Sequence, residues 1–198
     1  MEDQGGPPIV DKKIVVSSSE QTNDEINDPT VDDRGAANFE RPGIKFHGHQ
    51  DMRISIGGDH AGYELKAVIR QALMDQGELV VDEGTNGPES TDYPDFAHAV
   101  ANAVARKDAD LGIVVCGSAN GVNITANKHA GIRSAIAWTE EVARLARAHN
   151  DANVLALPAR FIDAPLALRI VSAFISTRFE GGRHERRVQK IEGEATGR

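Results

Sequence analysis

Between Leu111 and Lys128 an apolar run, Leu111-Gly112-Ile113-Val114-Val115, ends at Cys116. It breaks into a loop of small residues, Gly117-Ser118-Ala119-Asn120-Gly121, before a helical pattern begins. A β-branched run with no polar alternation has the composition of a parallel strand buried on both faces. The small loop leaves several backbone N–H groups free in front of a helix N-terminus, which is a seat for an anion. Cys116, the only cysteine, stands at the carboxyl end of the strand, the edge where open α/β sheets bind ligands. It has a plain role as a small buried apolar residue and a chemical one as a thiol beside an anion seat.

From Met52 onward the chain repeats this alternation. Strands are expected at Arg53–Gly57, Leu79–Val81, Leu111–Val115, Ile132–Trp138 and Asn153–Leu157. Helical spacing of Leu65, Val68, Ile69, Ala72 and Leu73 predicts a helix over Tyr63–Gln76, stopped by Gly77. A second helix starts near Pro94 and runs to about Lys107, with Phe96, Val100 and Val104 on one face; a third opens over Val122–Lys128. Thr139 caps a fourth, with Val142, Leu145 and Ala146 inward. Asp163 caps a fifth, Asp163–Arg178, and a basic helix covers about Arg183–Ile191. Five strands alternating with helices imply a three-layer α/β domain around a mainly parallel sheet, spanning residues 52–198.

Residues 1–51 contrast with this. They hold five Lys and Arg against eleven Asp and Glu, and only Lys12–Val16 resembles a strand. Such a segment cannot bury enough apolar surface to offset its ordering entropy, so it reads as a disordered acidic extension, dispensable to the domain. The whole chain of 198 residues carries a formal net charge of −8, which argues against a general nucleic-acid binder. No apolar run approaches a membrane span and no secretory signal opens the chain. A single cysteine fits a reducing cytoplasm.

Loops after the strands gather on one edge of such a sheet. That edge receives Asp59 and His60, then Asp92 and Tyr93, then Cys116–Gly121, then Arg160. His149 and Asn150 end a helix instead, so sheet arithmetic alone does not bring them there. Taken singly, each residue has a structural role: Asp59 as a turn residue, His60 as a surface histidine, His149 at a helix C-terminus, Asn150 as its left-handed cap. Arg183, Arg186 and Arg187 form a solvated charge run on the same plain reading.

The blocks GGDHAGYELK (57–66), GTNGPESTDYPDFA (84–97), CGSANGVNITANK (116–128), GIR (131–133), ARAHNDANVLALPAR (146–160) and FEGGRHERRV (179–188) together resemble the ribose-5-phosphate isomerase B family, which also contains galactose-6-phosphate isomerase subunits. The resemblance spans nearly all of the domain. It implies a Rossmann-like α/β/α fold and aldose–ketose isomerisation of sugar phosphates. It further implies a homodimer with active sites at the interface, a dimer of dimers being open, and no metal or other cofactor. Members of the family use as base either a cysteine at the end of strand three or a glutamate after the loop. Here Cys116 holds the first position and Val122 the second, so the chain resembles the cysteine type. By the same match His149 is the ring-opening acid/base, Asp59 and His60 bind substrate, and Gly117, Ser118, Ala119, Asn120 and Gly121 form the anion loop. Asn150, Arg160, Arg183 and Arg187 match the remaining sugar and phosphate contacts. Ala119 stands where glycine is common in the family, and Ser118 where some members have threonine.

Moving a proton between adjacent carbons needs ring opening, a base at carbon and donors for the oxyanion. An imidazole, a thiolate and a loop of amides supply these, and arginines grip phosphate through paired N–H groups. Ribose 5-phosphate with ribulose 5-phosphate is the first-choice pair, a hexose or tetrose phosphate the alternative. Two other classes compete. A nucleotide- or flavin-binding domain would want G-x-G-x-x-G after strand one, but the turn reads Gly57-Gly58-Asp59-His60-Ala61-Gly62. A silent sugar-phosphate sensor would bind without turnover, against which the Cys116/His149 pair stands.

Overall fold

The computed structural model describes residues 52–193, and the expectation for residues 1–51 lies outside them. Five strands, β1 (Arg53–Gly58), β2 (Leu79–Asp82), β3 (Leu111–Cys116), β4 (Ser134–Ile136) and β5 (Val154–Pro158), form one sheet in the order β2-β1-β3-β5-β4. Every pairing is parallel. β3 and β5 are buried at every position, as their unbroken apolar runs require, whereas edge strand β2 exposes Leu79 and Val81.

Helices α1 (Tyr63–Met74), α4 (Glu140–Asn150) and α5 (Ala164–Ser176) cover one face. Their Leu65, Ile69, Leu73, Ala143, Ala146, Ile170 and Phe174 pack on Ile54, Ile56, Ile113 and Leu155. Helices α2 (Tyr93–Ala105) and α3 (Asn120–Ala126) cover the other, with Val100, Val104, Val122 and Ala126 against Val114 and Ala156. This is the three-layer α/β/α, Rossmann-like domain. A last helix, α6 (Glu185–Glu192), lies beside α4.

Several local expectations are corrected. In α4 Ala146 faces inward as expected, but beside it stand Ala143 and Ala148, while Val142 and Leu145 are exposed, because small side chains let this helix approach α5 closely. Val68 on α1 is likewise exposed. β4 shrinks to three residues. Arg183 precedes α6 rather than lying on it, so it does not share a helical face with Arg187. The left-handed cap of α4 is Asp151, at φ 45°, not Asn150. One feature had no sequence signal: Lys66 of α1 is buried and its ammonium pairs with the Asp82 carboxylate at the end of β2.

Candidate active site

β1 and β3 are neighbours, yet the chain leaves β1 toward β2 on one side and β3 toward β4, beyond β5, on the other. The carboxyl ends of β1 and β3 therefore diverge into a crevice, the usual ligand site of such sheets. Close approach at its floor depends on glycine: a Cβ on Gly58 or Gly62 would come within 2.2 and 2.3 Å of the Val115 carbonyl oxygen.

Asp59 stands at the mouth of β1 with 7 % exposure, and its Oδ1 accepts the backbone N–H groups of Ala61 and Gly62 at 3.0 and 3.1 Å. The carboxylate thus builds its own turn. His60 follows, with Nδ1 accepting the Thr91 N–H at 3.4 Å, which leaves Nε2 to carry the proton in the neutral ring. Across the crevice Cys116 closes β3, buried. The backbone past it is held by β5: Ala159 N–H donates to the Cys116 carbonyl and Arg160 N–H to that of Gly117. The Arg160 side chain lies over Gly117, with Cδ and Nε 3.3 Å from where a Cβ would sit. Ala119 caps α3 at φ 64°, a left-handed conformation that costs a non-glycine residue about 1 kcal/mol. Among the described residues no hydrogen bond engages the N–H groups of Ser118, Ala119, Asn120, Gly121 or Val122. Tyr93, given no role by sequence reasoning, packs its ring on Gly121 and borders this loop; the absence of a side chain at 121 was the available signal.

The other half of the sequence-derived set lies elsewhere. His149 and Asn150 end α4, just before β5 begins, at the amino edge of the sheet. There the His149 ring stacks on His184, centroids 4.1 Å apart and planes within 4°. Arg183 Nε donates to His184 Nε2 at 3.1 Å, and Glu180 Oε2 stands 3.7 Å from Nε2 of both histidines. Burial, then the neighbouring His149 and Arg183, lowers the His184 pKa from its ordinary value. His149, Glu180 and His184 have the donor types and spacing of a metal site, their ligand atoms lying within 4.8 Å. The fit is poor, because the Arg183 N–H occupies the His184 lone pair and parallel rings do not converge on one ion. Arg187 lies in the first turn of α6, four residues after Arg183.

One chain therefore brings together Asp59, His60, Cys116, Gly117–Gly121 and Arg160, and separately His149, Asn150 and Arg183, with Arg187 on the adjoining α6. The five residues of β5 separate the two groups, about 16 Å of extended chain. A five-carbon sugar phosphate does not span that distance.

Residues 54–191 match the family model described as Ribose/Galactose Isomerase. The chain belongs to the ribose/galactose isomerase family. Among relatives within it, ribose-5-phosphate isomerase B of Escherichia coli is 45% identical over 139 residues, covering 70% of this chain and 93% of that one. The crystal structure of a ribose 5-phosphate isomerase of the B type from Thermotoga maritima superposes with a TM-score of 0.72 at 47% identity, covering 73% of this chain and 100% of its own. The ribose-5-phosphate isomerase B of Mycoplasma genitalium, solved with bound ribulose-5-phosphate, gives 0.70 at 44% identity over 73% of this chain and 96% of its own. Family membership thus agrees with both the fold and the motif order read from the sequence. Among the described residues no helix is long and apolar enough to cross a membrane.

Proposed function

We propose that the protein interconverts ribose 5-phosphate and ribulose 5-phosphate through an enediolate, at a site shared between two copies of the chain. The observation that carries this reading is the lone thiol at the β1/β3 crevice, beside five unengaged backbone amides, in a chain of the ribose/galactose isomerase family. The ribulose-5-phosphate held by the Mycoplasma genitalium relative supports the choice of sugar.

In this scheme His149 of one copy protonates the ring oxygen as the O1 proton departs, opening the furanose to an aldehyde. The Cys116 thiolate of the other copy then removes the proton from C2. The electron pair moves into a C1–C2 double bond and the carbonyl oxygen becomes an oxyanion, held by the amides of residues 117–121 and the Ser118 hydroxyl. The O2 proton passes to O1; as the C2 carbonyl forms, the thiol returns its proton to C1 and the ketose results. Only protons move, so the chemistry calls for no metal or redox cofactor. Arg160 reaches the sugar from the thiol side. Arg183 and Arg187 grip the phosphate from the side of His149 and Asn150, fixing the carbon before the thiolate. Asp59 and His60 frame the sugar hydroxyls.

The separation of the two half-sites supports a homodimer, in which residues at opposite edges of one sheet would meet across a second copy. Placement in the cytoplasm rests on the single reduced cysteine.

Cys116→Ser tests the base. It keeps the size but replaces the thiol with a hydroxyl scarcely ionised at neutral pH. Turnover should fall by about three orders of magnitude or more, with Tm and ligand binding little changed. Solvent deuterium should no longer be incorporated at the sugar carbon. Exchange at near wild-type rate in this variant would assign the base to another residue.

A further inference from the structure

We propose that Arg133 is a positioning residue that sets the ring-opening histidine against the phosphate-gripping arginines, by bracing the end of α4 to the end of α6. The inference rests on the reading of His149 and Arg187 given above. Arg133 lies just before β4, and its backbone is anchored by two bonds to Asn153, the side-chain Oδ1 accepting at 2.8 Å and the N–H donating at 3.0 Å. From that fixed point its mostly buried guanidinium uses all three nitrogens. Nε donates to the carbonyls of Asn150 and Asp151 at 3.1 and 2.9 Å, Nη2 to Asp151 Oδ2 at 2.8 Å, and Nη1 to Glu192 Oε1 at 2.5 Å.

Each tie has a mechanical consequence. The two carbonyls belong to the last turn of α4 and its cap, where a cation is favourable and where His149 and Asn150 sit. Asp151 holds a left-handed conformation at φ 45° without being glycine, and its other oxygen is taken by Arg147 Nη1 at 3.0 Å. Two guanidinium groups thus hold a strained cap in place. On the far side, α6 has no fully buried side chain and only Val188 is half-buried, so little apolar surface seats the helix that carries Arg187. Glu192, in its last turn, is tied to the fold through Arg133. A lysine at 133 could hold one carboxylate, but not two carbonyls and two carboxylates in a planar fork.

Steady-state kinetics on the full-length protein with ribose 5-phosphate separate the two arms of the brace. Arg133→Lys should lower kcat about tenfold and raise KM about tenfold, because both ends are released. Glu192→Ala, at an exposed position that leaves the core intact, should raise KM about three- to tenfold while kcat stays within about twofold. The double variant should be no worse than Arg133→Lys alone, since both changes cut the same tie to α6. Thermal melts of all variants accompany the kinetics. Unchanged kcat and KM in both single variants, with His149→Asn impaired, would overturn the brace alone. A fully active His149→Asn would overturn the reading beneath it, and the brace with it. Additive losses in the double variant would also overturn the brace, by showing that Glu192 acts independently of Arg133.

Discussion

At Cys116 the requirements of packing and chemistry coincide. The thiol is small enough to close a fully buried strand, and the next five residues withdraw every side chain larger than asparagine from the amides around it. Ala119 shows how firmly that loop is held, since its methyl group tolerates a left-handed backbone where glycine would be unstrained. The histidines bear on stability as well as function. Burial is the first cause lowering the pKa of both His184 and His129, with the neighbouring His149 and His98 adding to it. Between those lowered values and the ordinary 6.5, the unfolded chain binds more protons than the folded one. Stability is therefore fully present above about pH 7 and is lost as pH falls through the window below 6.5. Melting temperatures between pH 7.5 and about 5 should fall, and the slope should be shallower in His184→Phe. An identical slope in that variant would remove His184 from the linkage.

At the level of elements, the order of strands and helices was legible because β-branched runs and helical spacing alternate cleanly from Arg53 to Ile191. What sequence could not supply was the depth at which each helix packs. In α4 the larger apolar residues suggested the inner face, yet the alanines take it, because proximity to α5 is decided by the smallest side chains. The carboxyl-edge half of the site was legible from loops following strands. The grouping of His149 with Glu180 and His184 was not, since it depends on how the 177–184 segment folds back, with Glu180 N–H bonded to the Ala148 carbonyl at 3.0 Å. The Lys66–Asp82 pair was equally hidden, because a lysine in an amphipathic helix ordinarily faces water. Asp82 also accepts the Gly84 N–H at 3.0 Å and so fastens α1, β2 and the loop toward the crevice. Asp82→Ala strands a buried ammonium and should cost about 3 kcal/mol in urea unfolding at fixed protein concentration. A loss below about 1 kcal/mol would show that Lys66 finds water or another partner.

For the whole molecule, the decisive feature is that one sheet carries half a site on each edge. A single copy offers the thiol and the small-residue loop at the carboxyl ends of β1 and β3, and the imidazole and the arginines proposed to grip the phosphate some five strand residues away. Two copies related by a two-fold axis can pair each half with its complement and form two equivalent sites. Subunit mixing tests this most directly. Cys116→Ser and His149→Asn chains are each nearly inactive as homodimers on the mechanism proposed. After the two are unfolded, mixed in equal amounts and refolded together, half of the dimers should be hybrids. Each hybrid has one site with both defects and one with neither. Activity should therefore return to about a quarter of the wild-type level. If the mixture stays as inactive as its parents although hybrids form, Cys116 and His149 act within one chain and the shared site is wrong.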